Sequence, residues 1–199
     1  MSGWDVNTPV LVSDAADGWT AATVQKSSGI GSDALLEVRL DKDGTLVERR
    51  GAEVEIFDGA ALAGASDMAA LESLTEGRML ECLRRRYAAD AIYTSVGGIV
   101  IAANPFRALP ELYDDAAVAR FREGDDGALA APHPFAIGEA ALRALVRGGA
   151  SQSVLISGES GAGKTETVKY VLRYLSRRSA AETGADGVDG KVLRSNPVL

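Results

Sequence analysis

The sequence predicts an α/β protein in two parts: a small β-barrel over residues 1–58, then a segment over residues 67–199 in which helices alternate with short buried strands. Three observations carry that reading. Through the first part, apolar residues alternate with period two between turn signals. Beyond residue 66 the spacing changes to that of an amphipathic helix, and it does so three times. Late in the chain a glycine-rich loop stands between a short apolar run and one of those helices.

Composition sets the outer limits. The chain has 199 residues, 46% of them hydrophobic and 25% charged, which suits one large globular domain or two small ones. A net charge of −7 does not describe a surface built for nucleic acid, and is read as favouring solubility. Cys82 is the only cysteine, so neither an intramolecular disulfide nor a cysteine zinc cluster can form. His133 is the only histidine, which excludes histidine-rich metal sites and leaves it a structural rather than a catalytic role. No apolar run approaches the ~20 residues of a membrane helix, so no transmembrane segment is expected. The opening MSGWDVNTPV lacks the basic and apolar stretches of a secretory signal, and a cytoplasmic protein is expected.

The elements follow in order. Val10 and Val12, then Trp19, Ala21 and Thr23, then Leu36, Val38 and Leu40 alternate as strands. Asp41 to Gly44 supplies a turn, Thr45 to Arg49 returns, and Val54, Ile56 and Phe57 close the segment. Residues 59–66, GAALAGAS, are small and weakly patterned and read as a linker. Thr75 can cap a helix with Met79, Leu80, Leu83 and Tyr87 on one face and with Glu81 four residues before Arg85, the favourable order. Gly77 is unfavourable inside it. Ile92 to Thr94 and Ile99 to Ala103 flank Gly97-Gly98; the second run, closed by Asn104-Pro105, reads as a buried strand. Ile137, Ala140, Ala141, Ala144 and Leu145 mark a second helix ending at Gly148-Gly149. Val154 to Ile156 reads as a short buried strand. A third helix starts near Gly163 with Val168, Val171, Leu172 and Leu175 inward. Lys169, Arg173, Arg177 and Arg178 lie off that stripe, on a solvated face suited to a helix C-terminus. Residues 180–190 read as a surface loop, and no internal repeat is found.

Gly158 to Thr165, GESGAGKT, fits the pattern G-x-x-x-x-G-K-[ST] in full. Gly158, Gly161 and Gly163 free the backbone to turn successive N–H groups inward as a nest for anionic oxygens. The helix that follows presents its positive end to the same anion. Lys164 is placed to reach β- and γ-phosphates, and the Thr165 hydroxyl to hold Mg²⁺, so a nucleotide such as ATP is the expected ligand. A plain glycine-rich turn is the bland alternative, and the strand–loop–helix order argues against it.

Beyond the general pattern, GESGAGKTE (Gly158, Glu159, Ser160, Gly161, Ala162, Gly163, Lys164, Thr165 and Glu166) resembles the form of this loop found in myosins. Three more segments resemble that family in the same order: Leu80 to Phe106, which ends in Asn-Pro-Phe; Pro132 to Ile137, PHPFAI; and Ser195 to Leu199, SNPVL. The strands of residues 4–58 are similar, less specifically, to the SH3-like barrel of many myosins. The resemblance implies a P-loop NTPase motor domain, with a central, mostly parallel sheet flanked by helices and an SH3-like β-barrel before it. It also implies an actin-based motor of the cytoskeleton driven by ATP and Mg²⁺, with actin filaments and light chains as partners of a full-length parent. Asn104, Pro105, Arg107 and Tyr113 fall where myosins build the adenine pocket, although Asn104-Pro105 by itself reads as a strand-ending turn. Ala108 to Tyr113 is one residue longer than the family's usual spacing, which shifts the tyrosine ring. Leu142 and Val168 replace a tyrosine and a threonine common in the family.

Hydrolysis needs further groups to hold Mg²⁺ from the far side, orient water and stabilise the transferring phosphoryl group. The myosin switch I and switch II sequences that supply them do not occur in these 199 residues, nor do the actin cleft, relay helix or converter. The chain therefore reads as a piece of a motor that does not hydrolyse ATP alone. The alternative is a non-catalytic nucleotide-binding or interaction module of the same origin. A doubly wound sheet buries both faces, so residues 67–199 with only some of its strands are expected to be loosely packed, with apolar surface exposed. The acidic run from Glu182 to Asp189 reads as a solvated linker.

Overall fold

The computed structural model describes residues 4–124 and 126–183. The Ser195 to Leu199 segment and the acidic run beyond residue 183 lie outside the described residues. The chain divides into two compact units, Met1–Ile99 and Val100–Leu199.

In the first unit, β1 (Pro9–Asp14), β2 (Gly18–Ser28), β3 (Leu35–Leu40), β4 (Leu46–Arg50) and β5 (Val54–Ile56) form one sheet in the order β4-β3-β2-β1-β5. Every pairing is antiparallel, with Val12 opposite Thr20, Val24 opposite Val38 and Val38 opposite Val47. The β3–β4 turn falls where expected: Gly44 has φ 77°, and the Asp43 carboxylate accepts from the Thr45 N–H at 2.9 Å. The core is Val10, Val12, Ala22, Val24, Ala34, Leu36, Val38, Leu40 and Val54. In β2 the inward phase is thus Thr20, Ala22 and Val24, opposite to the expected Trp19, Ala21 and Thr23. Trp19 lies on the other face, where a helix covers it.

Most of the segment 59–66, expected to be weakly structured, is helical. Gly59–Gly64 is a short helix, α1, capped by the Asp58 carboxylate, which accepts from Ala60 and Ala61 at 2.8 and 3.2 Å. Alanines favour a helix even without an apolar stripe, and Leu62 is buried. α2 (Glu76–Ala88) starts at the expected cap, with Thr75 Oγ1 accepting from the Arg78 N–H at 3.3 Å. Glu81 and Arg85 pair at 2.7 Å. Its buried residues are Gly77, Glu81, Cys82 and Arg86, while Tyr87 is exposed; the expected stripe of Met79, Leu80, Leu83 and Tyr87 is not the buried one. Polar contacts explain the difference. Arg86 donates to Thr94 Oγ1 at 2.8 Å and to the Tyr93 carbonyl at 2.9 Å, and Arg84 donates to the carbonyls of Trp19 and Asp17. A Cβ on Gly77 would stand 2.9 Å from the Trp19 indole, so the glycine that weakens α2 locally is what lets it lie on the sheet.

β6 (Tyr93–Val96) and β7 (Ile99–Ala102) form a two-stranded sheet. β7 is not buried: Ile99 is 70% exposed. Val154 to Ile156 adopts no strand, and Leu155 is 92% exposed. The mostly parallel central sheet expected from the sequence is therefore absent among the described residues, where parallel pairing is confined to one bridge between Asp67 and Ser95. The reason is cooperative. A buried parallel strand needs neighbours on both edges and cover on both faces, and these short runs pair with too little to acquire either.

The second unit is helical beyond β7: α3 (Asp115–Glu123), α4 (Asp126–Ala130), α5 (Pro134–Gly148) and α6 (Lys164–Thr183). α6 continues through residues 180–183, which were expected to be loop. α5 ends as expected, with Gly149 at φ 65° and its N–H donating to the Leu145 carbonyl at 2.8 Å. Its buried face is Phe135, Ala136, Gly138 and Glu139, whereas Ala140, Ala144 and Leu145 of the expected stripe are exposed. On α6, Val171, Tyr174 and Ser176 are buried.

His133 is the cap of α5: its Nδ1 accepts from the Phe135 N–H at 3.1 Å, which fixes a neutral ring protonated on Nε2. The ring stacks on Phe121 at 4.8 Å between centroids and meets Phe135 edge-on at 4.7 Å. Burial pushes its pKa down to about 4, against a Leu112 backbone hydrogen bond that acts to raise it, with Arg120 adding to the fall.

Two outcomes are expected. Gly77→Ala drives a methyl into Trp19 and destabilises the first unit by about 1–3 kcal/mol despite alanine's better helix propensity, measurable by denaturant unfolding followed through tryptophan fluorescence. The folded His133 binds its proton less readily than the unfolded one, so its contribution is complete above pH 6.5 and is lost as pH falls towards about 4. His133→Asn keeps a capping acceptor without titrating. The denaturation midpoint of that variant should be flatter between pH 6.5 and 5 than that of the natural chain.

Candidate functional site

The loop from Gly158 to Thr165 joins an exposed segment to the first turn of α6. Gly161 and Gly163 have φ of 80° and 94°, a region that side chains disfavour. A Cβ on Gly158 would stand 3.2 Å from the Ala162 Cβ, so the loop closes on itself tightly there. The Ala162 N–H donates to the Glu159 carbonyl at 3.2 Å, and the Thr167 N–H donates to the Gly163 carbonyl at 2.9 Å, which begins the helix. The Thr167 hydroxyl donates to the same carbonyl at 3.1 Å. The Lys164 ammonium folds back over the loop and donates to the carbonyls of Gly158 and Glu159 at 2.7 and 2.8 Å. Ser160, Thr165 and Glu166 are exposed, and Glu166 pairs with Lys169 at 2.7 Å.

Of the other candidate residues, the structure brings Asn104 to this loop. Its side-chain nitrogen donates to the Gly161 carbonyl at 2.9 Å, and its oxygen accepts from the Phe106 N–H at 2.9 Å. Pro105 beside it is half-buried, and Arg107 is exposed. Tyr113 lies elsewhere in its surroundings. It is 7% exposed, stacked face to face on Tyr170 with centroids 3.6 Å apart and planes 5° apart, and tilted against His133 at 5.7 Å. One face of the ring expected beside a purine is thus covered by a side chain of α6.

The sequence reading missed what holds α6 in place. Glu139 of α5 is 1% exposed. Its carboxylate accepts from the Tyr174 hydroxyl at 2.7 Å and from Arg143 Nε at 2.8 Å, with Arg178 Nε at 3.4 Å. Arg143 also donates to the Gly124 carbonyl at 3.0 Å, at the end of α3. Burial by itself raises the Glu139 carboxyl; the hydrogen bonds from Arg143 and Tyr174 and the two arginine charges outweigh it and hold the group below its ordinary value. Burial, then the hydrogen bond and charge of Glu139, push the Tyr174 phenol well up. Two signals were available: Glu139 precedes Arg143 by four residues, as Glu81 precedes Arg85, and Tyr170 and Tyr174 stand one turn apart on α6. Arg178 was read as part of a solvated face, and it contributes to this buried cluster instead.

Residues 65–199 match the family described as Myosin head (motor domain). Myosin-6 of Arabidopsis thaliana is 48% identical over 143 residues, which cover 70% of this chain and 9% of that protein. Myosin-13 of the same plant is 47% identical over 137 residues, covering 68% of the chain and 9% of that protein. Myosin-11 is 38% identical over 196 residues, 98% of the chain and 12% of that protein, so the similarity extends across the N-terminal sheet. The chain spans about a tenth of the length of these relatives. It belongs to the myosin motor-domain family.

Proposed function

We propose that the Gly158–Thr165 loop binds the phosphates of Mg-ATP, as the nucleotide-binding part of an actin-based motor that couples ATP hydrolysis to movement along filaments. The observation that carries this reading is the Lys164 ammonium, drawn over a loop whose Gly161 and Gly163 take left-handed backbone angles at the start of a 20-residue helix. Phosphate oxygens offer that ammonium full negative charge in place of two neutral carbonyls, and charge-assisted hydrogen bonds are the stronger kind. The positive end of α6 adds to the same attraction. Lys164 is the residue that neutralises charge on the β- and γ-phosphates, and Thr165, exposed in the first turn, is the Mg²⁺ ligand. Bound Mg²⁺ supplies further neutralisation of the phosphate oxygens. Glu159, Ser160, Ala162 and Glu166 serve through backbone position, and Pro105 and Arg107 form the base side.

Catalysis asks for more than this loop offers. Orienting a water and stabilising the transferring phosphoryl group need groups that the residues named here do not include. The loop's contribution is binding and charge neutralisation; turnover, actin filaments, light chains and a cytoskeletal location belong to a complete motor. A module that only binds nucleotide would behave identically at this loop.

Titration of the 199-residue chain with a fluorescent ATP analogue and Mg²⁺ tests the reading. Lys164→Ala should weaken binding roughly 10- to 100-fold, the worth of one hydrogen bond to a charged group. No binding by the natural chain, or binding that survives this substitution, overturns the phosphate-loop assignment. Chelating Mg²⁺ with EDTA should weaken binding to the natural chain and have little further effect on Thr165→Ala. Equal sensitivity in both would remove Thr165 as the metal ligand.

A further inference from the structure

Asn104 was expected on the adenine side of the site, and its geometry gives it a different task. The peptide unit between Gly161 and Ala162 is held at both ends: its carbonyl accepts from Asn104 at 2.9 Å, and its N–H donates to the Glu159 carbonyl at 3.2 Å. Gly161, at φ 80°, has no side chain to resist rotation of that peptide. Rotation of that peptide would break both contacts and exchange the sides on which its carbonyl and N–H lie, which inverts the local dipole of the loop. The other end of the Asn104 amide accepts from the Phe106 N–H at 2.9 Å, and Phe106 itself sits at φ 51°. The side chain is therefore braced by its own turn while it reaches the loop. A Cβ on Gly163 would come within 3.9 Å of the same amide, so the contact follows the loop from Gly161 to the helix start.

We propose that Asn104 is a positioning residue for the phosphate loop, locking the Gly161–Ala162 peptide in a single orientation, rather than a contact to the base. This rests on the phosphate-loop reading above. A base contact and a loop lock differ in one measurable way. A lock acts on any polyphosphate, with or without adenosine attached.

The test uses the full chain and two ligands, Mg-ATP and Mg-tripolyphosphate. Asn104→Ala should weaken both by the same factor, about fivefold for one neutral hydrogen bond. Weakening of ATP with tripolyphosphate untouched, or no change in either, overturns the proposal. A ligand-free measurement separates its failure from that of the phosphate-loop reading. Asn104→Asp keeps the acceptor for Phe106 and loses the donor to Gly161. The backbone amide NMR signals of Ala162 and Gly163, single in the natural chain, should broaden or double in this variant. A single unperturbed set overturns the lock, whether or not the natural chain binds either ligand.

Discussion

A buried carboxylate organises the second unit. Glu139 has almost no contact with water, and an unpaired charge in such a place would cost several kcal/mol. It is accommodated because Arg143, Tyr174 and Arg178 converge on it from α5 and α6, and Arg143 reaches on to the end of α3. Three helices are thereby fixed by one group. The aromatic cluster of Tyr113, Phe121, His133, Phe135, Tyr170 and Tyr174 supplies the apolar area, but rings slide and tilt against one another at modest cost. The carboxylate supplies register. α6 begins at Lys164, so the same contacts that seat Tyr174 determine where the Gly158–Thr165 loop ends and the helix dipole starts.

The first unit uses the same device in another setting. α2 lies on the sheet through Gly77 against Trp19, and it is anchored by Arg84 and Arg86, whose guanidinium groups satisfy backbone carbonyls and Thr94. In both units a helix is oriented by a buried or half-buried ionic group rather than by its most apolar stripe. That is why the hydrophobic periodicities of α2 and α5 located the helices but misplaced their buried faces. Periodicity finds an element from local spacing; which face goes inward depends on partners far away in sequence.

The same distinction separates what was legible in the candidate site from what was not. The course of Gly158 to Thr165 was readable because its geometry is contained in consecutive residues: glycines that permit the turn, a lysine that folds over it, a helix that follows. Caps were readable for the same reason, at Thr75 and at Gly149. The strands were not. Ile99 to Ala103 and Val154 to Ile156 have the composition of buried strands, yet Ile99 and Leu155 stand in water. Burial of a parallel strand is a property of the sheet around it, and composition states only what the strand would tolerate. Tyr113 belongs with these cases: its type suits a purine, and its place is decided by Tyr170, 57 positions along the chain and invisible to any local pattern.

Asn104 shows how a non-local contact can complete a local motif. Glycines give the Gly158–Thr165 loop access to left-handed backbone angles, and the same freedom gives it access to other conformations. A loop of consecutive residues cannot both supply that freedom and remove it. Lys164 limits the loop at Gly158 and Glu159, near its start, and the helix limits it at Gly163, near its end. The peptide after Gly161 lies between these two restraints, and the Glu159 carbonyl holds only its N–H. Its carbonyl is restrained by a residue 57 positions earlier, in a turn that fixes its own amide through Phe106. The motif thus encodes which conformations are reachable, and the Asn-Pro turn selects one of them. A sequence pattern confined to the loop describes the first half of that arrangement and is silent on the second.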